Sequence, residues 1–319
     1  MKKTIGIGNA IVDILCKVDE KFLTNHNLIK GSMSLIDEDT AQKLSELTPE
    51  KITSGGSVGN TIATMAQMGN YTGFIGKVGH DKFGQQFICE IEKNGVEFIG
   101  KNSYDKLSAK SFVLVTPDAE RTMCTFLGCA SEIDPTFIED KSFANASCLY
   151  LEGYLWDREE TILALKKAIE TAKKYNLKIA FSLSDAFCVS RHRHDFLELI
   201  AKDLDILFAN ENEVLELISK ERFSAEFLAN FFNKNKKLIA VVTRGAKGCV
   251  IFQNEKIIEV ATANIEEVTD TTGAGDAFAA GFLHGLENDL TLEKSAALGN
   301  QLAGKIIQKF GARFESEEI

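Results

Sequence analysis

In Val268-Thr269-Asp270-Thr271-Thr272-Gly273-Ala274-Gly275-Asp276-Ala277-Phe278-Ala279-Ala280-Gly281-Phe282-Leu283, a strand-like ending runs through two glycines into a segment that reads as the start of a helix. A strand that turns into a helix is a building block of α/β sheets. Two glycines just before the helix let the backbone turn tightly and come close to a ligand. The N–H groups of Gly273, Ala274, Gly275 and Asp276 are then expected to point at one spot, and the helix dipole adds positive character there. The result is an anion site with a carboxylate at its rim, suited to taking a proton from an attacking hydroxyl. An ordinary glycine turn with an acid in the helix's first turn is the alternative. The acids at both ends and the surrounding sheet pattern favour the anion site.

Around this run the second half of the chain alternates strand and helix. Apolar patterning predicts strands over 148–151, 178–183, 205–208 and 238–243. It predicts an amphipathic helix at Glu159–Lys174, carrying Ile162, Leu165, Ala168, Ile169 and Ala172, and helices over 276–286 and 292–309. Continuous apolar strands separated by helices suit a parallel sheet covered on both faces. The first half differs. Helices are expected over 58–68 and Lys82–Lys93, whereas 14–36 and 96–127 hold short β runs such as Ser111-Phe112-Val113-Leu114-Val115 without interleaved helices. Strands lacking crossover helices are expected to form a small separate sheet, a lid over the main one.

The bulk numbers bound the class. The chain has 319 residues, 45% hydrophobic and 26% charged, with only three prolines and no linker-like stretch. A net charge of −10 argues against nucleic acid or an anionic membrane as the main partner, while leaving room for small anions held by backbone amides. No apolar run approaches the ~20 residues of a membrane span. The seven cysteines are scattered without a Cys-x-x-Cys pair, which fits free buried thiols in a reducing, cytoplasmic setting.

Two further glycine-rich runs stand nearer the N-terminus. Gly55-Gly56-Ser57-Val58-Gly59-Asn60 precedes a helix and offers close backbone approach, with Asn60 able both to donate and to accept; a plain helix cap is the alternative. Gly6-Ile7-Gly8-Asn9-Ala10-Ile11-Val12-Asp13 begins like a dinucleotide fingerprint, but Ile11 stands where the third glycine belongs, which disfavours a nicotinamide dehydrogenase. Asp13 is placed instead to grip sugar hydroxyls. A Walker A loop and metalloprotease spacing are both absent.

Together these runs resemble the ribokinase-like, or PfkB, family of carbohydrate and nucleoside kinases, over nearly the whole chain. Asp270 to Asp276 matches the family's C-terminal signature at every position, and Gly55 to Asn60 is similar to its N-terminal one. The resemblance implies a single three-layer, doubly wound, mostly parallel α/β domain over 1–319, with a β-sheet lid formed by about 14–36 and 96–127. It implies ATP with Mg2+, Asp276 as catalytic base, and Gly273, Ala274 and Gly275 as the anion hole. Asn210 and Glu213 fit its Asn-x-x-Glu element, which implies that Asn210 meets the nucleotide and Glu213 the magnesium through water. Thr243, Gly245 and Gly248 look like its nucleotide-binding turn, and Asn300 falls in the helix that borders adenine. Gly311-Ala312 is followed by Arg313-Phe314 and an acidic tail, which departs from the family's monovalent-cation loop and leaves a K+ requirement open.

The opening Gly8-Asn9-x-x-x-Asp13 and the run Gly56-Ser57-x-x-Asn60 are similar to those of adenosine kinases, as is Asp118-Ala119-Glu120-Arg121-Thr122-Met123. That likeness implies that Asn9, Asp13, Gly56, Ser57, Asn60 and Met123 meet the acceptor, and that Arg121 stabilises the transferred phosphoryl group. A strand arginine paired with Glu120 or Asp118 is the alternative for Arg121. Glu152-Gly153-Tyr154-Leu155-Trp156 is expected to bring aromatics to the same mouth. The expected reaction is transfer of the ATP γ-phosphoryl group to the 5′-hydroxyl of adenosine, as in purine salvage. The alternatives are a ribokinase- or fructokinase-like sugar kinase and a non-catalytic nucleotide sensor. Monomer and homodimer both stay open.

Overall fold

The computed structural model describes residues 3–118, 120–263, 265, 267–315 and 318–319. Its main sheet has nine strands, in the order Lys256–Val260, Cys249–Gln253, Ile239–Thr243, Ile206–Asn210, Lys178–Ser182, Ala146–Glu152, Lys3–Ile7, Tyr71–Ile75 and Val96–Phe98. The seven from Ile239–Thr243 to Val96–Phe98 are parallel, and a two-strand antiparallel edge follows Ile239–Thr243.

Side-chain alternation splits these strands between two cores, which is why the sheet is doubly covered. Leu149, Leu151, Ile179, Phe181, Leu207 and Val242 pack with the helices Glu159–Lys174, Ala186–Lys202, Glu211–Ile218 and Ala225–Phe232. Tyr150, Ala180, Phe208, Val241 and Ile251 pack on the other face with Ser57–Gln67, Lys82–Lys93, Ala274–Glu287 and Leu292–Ile306. Gly6 is required by this packing, because a Cβ there would lie 2.4 Å from Val58 and 2.6 Å from Ile62.

A second, five-stranded sheet has the order Met33–Leu35, Arg121–Phe126, Ala109–Val115, Ile11–Lys17 and Lys51–Ser54. Its period-2 pattern divides two jobs. Val12, Ile14, Phe112, Leu114 and Cys124 are buried in the core, whereas Ile11, Asp13, Ser111, Met123 and Thr125 line a cleft against the main sheet.

Several boundaries differ from the sequence reading. Val96–Phe98 lies not in the second sheet but beside Tyr71–Ile75 in the main one, since the helix Lys82–Lys93 is its crossover and Phe98 packs onto Phe74 and Phe87. Lys101–Ser103 pairs with Lys77–Gly79 in a separate ribbon. The segment 14–36 is not helix-free: Glu20–Asn25 is a short helix whose first turn is capped by Asp19. Lys51–Ser54 joins the second sheet despite a polar sequence with no strand pattern. Val268 and Thr269 are irregular, the preceding strand ending at Val260. No helix among the described residues is long and apolar enough to cross a membrane. All seven cysteines are free, and only Cys89 is exposed.

Candidate active site

The cleft between the two sheets encloses about 570 Å³ and lies where the parallel strands end. Asp276 sits on its floor, in the first turn of Ala274–Glu287. That helix starts at Gly273, whose φ of +78° suits glycine and leaves no room for more, since a Cβ would lie 2.5 Å from that of Ala312. The Ala274 amide donates to Thr271 O at 3.2 Å, so it is withdrawn from the expected anion site. The amides of Gly275 and Asp276 form no backbone hydrogen bond among the described residues and remain for an anion at the helix N-terminus.

The carboxylate is oriented from the facing turn. Ser57 Oγ donates to Asp276 Oδ1 at 2.7 Å, and Asn60 Nδ2 donates to Oδ2 at 2.9 Å. Thr61 Oγ1 donates to the Asp276 carbonyl at 3.1 Å, tying the two helix starts together. Burial holds the Asp276 pKa above the usual carboxylate value, against the lowering effect of those two donors and the Arg313 charge. Asp13 is also raised, to about 7, chiefly by burial, with Arg313 opposing and Asp276 and Asp270 adding repulsion. Gly55 makes space for it, since a Cβ there would lie 2.2 Å from an Asp13 oxygen. Gly56 has φ +82°, and a Cβ on it would meet the Asn9 carbonyl at 2.2 Å.

Sequence reasoning missed Glu152 as a site residue. It is fully buried at the end of Ala146–Glu152. Glu152 Oε1 accepts from Asn9 N at 2.8 Å and Asn9 Nδ2 at 2.9 Å, and Oε2 accepts from Val58 N at 2.9 Å. One carboxylate thus joins the Gly8-Asn9 turn to the first turn of Ser57–Gln67. Burial pushes it up to about 7. An acid closing the apolar run Cys148-Leu149-Tyr150-Leu151 was the available signal.

Arg121 does not pair with Glu120 or Asp118. It forms an ion pair with Asp270, donates to Thr272 Oγ1 at 3.1 Å and stacks on Phe310, so the second sheet is fastened to the 270–276 loop. Met123 lies on the cleft face, as do Asn9, Gly56, Asn210, Glu213 and Thr243. Asn210 and Glu213 form a reciprocal helix cap: Asn210 N and Nδ2 donate to the Glu213 carboxylate, and Glu213 N donates to Asn210 Oδ1. Glu213 is buried and raised to about 7, mainly by that burial.

The structure does not bring Gly245, Gly248 and Asn300 to the cleft lining. Gly245 and Gly248 shape the turn between the strands Ile239–Thr243 and Cys249–Gln253, and Asn300 donates to the carbonyls of Val260 and Ala261 at 3.2 Å. The expected aromatics also separate. Tyr154 lines the cleft, whereas Trp156 is buried against Phe181 and Phe196. Phe187, 70% exposed and stacked by Arg191, lines it without having been foreseen.

No group of three or more His, Cys, Asp or Glu among the described residues is arranged to hold a metal ion. Both Glu213 oxygens are already hydrogen-bonded. That donor set fits a magnesium carried in on phosphates and met through water, not one bound directly by side chains.

A parallel sheet covered by helices on both faces, with a glycine-started helix that presents a carboxylate at the strand ends, is a ligand-binding arrangement of open α/β folds. The chain belongs to the family described as pfkB family carbohydrate kinase, whose sequence model matches residues 27–319. It is similar to the structure of adenosine kinase from Sinorhizobium meliloti, 40% identical, with a TM-score of 0.87 over 98% of this chain and 95% of that one. A probable sugar kinase protein from Rhizobium etli CFN 42 is 38% identical, with a TM-score of 0.89 over 98% and 94%. Among curated relatives, adenosine kinase of Saccharomyces cerevisiae is 26% identical over 99% of this chain and 97% of its own length.

Proposed function

We propose that this kinase moves the γ-phosphoryl group of ATP to the 5′-hydroxyl of a nucleoside, adenosine first among them. The observation that carries the reading is Asp276, aimed by Ser57 and Asn60 and adjacent to the unbonded amides of Gly275 and itself. Asp276 takes the proton from the acceptor hydroxyl as it attacks phosphorus. The free amides stabilise charge on the transferred group, while Asp13 and Asn60 hold the ribose hydroxyls. The cap residues Asn210 and Glu213 would meet the water shell of a magnesium ion carried by ATP, which would supply charge neutralisation to the phosphates. The second sheet acts as a lid that keeps water from the reaction, with Arg121 serving the phosphoryl group.

The choice of a nucleoside rests on the cleft walls. Ile11, Met33, Leu35, Met123 and Leu127 line the cleft together with Tyr154 and Phe187, an apolar and aromatic surface that suits a flat base better than a bare hexose. The S. meliloti likeness supports the same choice. A sugar acceptor is the second reading, favoured by the likeness to the R. etli probable sugar kinase. The free thiols fit a cytoplasmic setting.

ADP release measured with adenosine, inosine, guanosine, ribose and fructose separates them. Turnover of adenosine without ribose or fructose supports the proposal. Turnover of a free sugar alone replaces it with the second reading, and no turnover with any acceptor removes both.

A further inference from the structure

Asn60 is held from behind by a residue that lines no part of the cleft. Arg313 follows the helix Leu292–Ile306, in a segment fixed to the signature loop by the Gly311 amide, which donates to Asp270 Oδ2 at 2.8 Å. Its Nε donates to Asn60 Oδ1 at 2.7 Å, and its Nη2 to the Gly55 carbonyl at 3.4 Å. Its Nη1 is shielded from solvent and has no hydrogen-bond partner among the described residues. A Cβ on Gly59 would already stand 3.2 Å from Nη2, so the turn is shaped around the guanidinium.

We propose that Arg313 is a positioning residue for phosphoryl transfer: it locks the Asn60 amide with its NH2 toward Asp276 and keeps a positive charge behind Asp13 and Asp276. The inference rests on the kinase reading above.

The hydrogen-bond inventory carries the first half. An asparagine amide can turn either end toward a partner, but a guanidinium only donates, so it can bind only Oδ1. Nδ2 is thereby left to donate to Asp276 Oδ2, its observed partner. Without Arg313, Asn60 is free to turn its oxygen toward Asp276, where oxygen would face oxygen.

Charge carries the second half. The charges that act on this pair are Asp270 from the signature loop and Arg313; Asp276 in turn acts on Glu152 and Tyr150 of the strand Ala146–Glu152 and on Tyr154 beyond it, and Glu90 of the helix Lys82–Lys93 acts on Arg313. Arg313 is the only cation among them. It lowers the pKa of both Asp13 and Asp276, while its own is pushed down to about 10, chiefly by desolvation. A methionine would fill similar space without that desolvation, so packing alone does not call for a guanidinium here.

The test compares Arg313→Met with Arg313→Lys, by ADP release across pH and by titration of 13Cγ-labelled aspartates assigned with Asp13→Asn and Asp276→Asn. Removing the charge is expected to raise both carboxyl midpoints and the acidic limb of kcat/KM by about one pH unit. Misaligning Asn60 lowers kcat by up to about a hundredfold. Lysine restores the midpoints but not full kcat, because it keeps charge without the fixed Nε donor. Should Arg313→Met fail to fold, Arg313→Gln replaces it as the uncharged variant. Unmoved midpoints and wild-type kcat in a folded uncharged variant overturn the inference, as do equal losses at every pH in the lysine and uncharged variants. The labelled-aspartate readout needs no turnover. A wild type inactive on every acceptor therefore defeats the kinase reading alone, and the midpoints still decide Arg313.

Discussion

Replacing Asp276 by asparagine should remove turnover and leave the fold at least as stable as before. The carboxylate has two side-chain donors, Ser57 Oγ and Asn60 Nδ2. The new amide can satisfy both positions: its oxygen accepts from Asn60 Nδ2, and its NH2 donates to Ser57 Oγ, which can rotate to accept. No buried donor is stranded, so the large penalty for an unpaired polar group is avoided. The variant also removes a carboxylate whose ionised form is disfavoured by burial. The folded pKa lies above the unfolded one, so wild-type stability falls as pH rises from the unfolded value of 3.8 through the raised folded value. Asparagine does not titrate. Its melting temperature should therefore match the wild type in acid and equal or exceed it at neutral pH.

Catalysis responds in the opposite sense. Loss of a general base costs about 10²–10⁴-fold in kcat, or roughly 2.7–5.4 kcal/mol of activation free energy. The assay is ADP release at saturating adenosine and ATP, beside calorimetric nucleotide binding and thermal melts at acidic and neutral pH. Nucleotide affinity should change little, since the helix-start amides remain. A folded variant with wild-type kcat refutes the assignment of Asp276 as base. A variant that melts far below the wild type refutes the hydrogen-bond reasoning instead.

In Asp13→Ala the acceptor KM should rise ten- to hundredfold, about 1.5–3 kcal/mol, with the ATP KM nearly unchanged; equal rises would make Asp13 structural. Since Asp13 titrates near 7 and Asp276 is raised, wild-type kcat/KM should fall as pH drops through neutrality, and a profile flat to pH 5 contradicts this. Glu152→Gln places an NH2 against either the Val58 amide or the two Asn9 donors, so it should destabilise by about 1–3 kcal/mol in chemical denaturation, and an unchanged midpoint would mean that Glu152 is not a tie. Arg121→Ala should lower kcat strongly and leave acceptor binding nearly unchanged; full kcat would return Arg121 to its ion pair with Asp270 as a fastening of the second sheet.

Local sequence determined much of this molecule. The helix Glu159–Lys174 and the helix Lys82–Lys93 form at their expected bounds, because an apolar face repeating with the helical period decides a helix by itself. The parallel core was legible for a similar reason: strands covered on both faces must be continuously apolar, as in Cys148-Leu149-Tyr150-Leu151. The glycines at 55, 56 and 273 were legible too, since residues without a Cβ mark where backbone must turn or be approached.

Tertiary structure decided the partners. Val96–Phe98 resembled the other short β runs, and only its crossover helix and the ring of Phe74 sent it to the main sheet. Lys51–Ser54 carries no strand pattern of its own and is recruited by pairing with Ile11–Lys17. Arg121 had two acids as near neighbours in sequence, yet its ion pair is with Asp270, some 150 positions away. Glu152 and Arg313 show the same limit. A charge shielded from water, fully at Glu152 and partly at Arg313, is defined by what surrounds it, and those surroundings are assembled from the Gly8-Asn9 turn, the Gly55–Asn60 turn and the chain's last segment. Periodicity and backbone freedom are properties of neighbouring residues, and sequence records them. Which donor meets which carboxylate depends on distances that exist only once the sheets have packed.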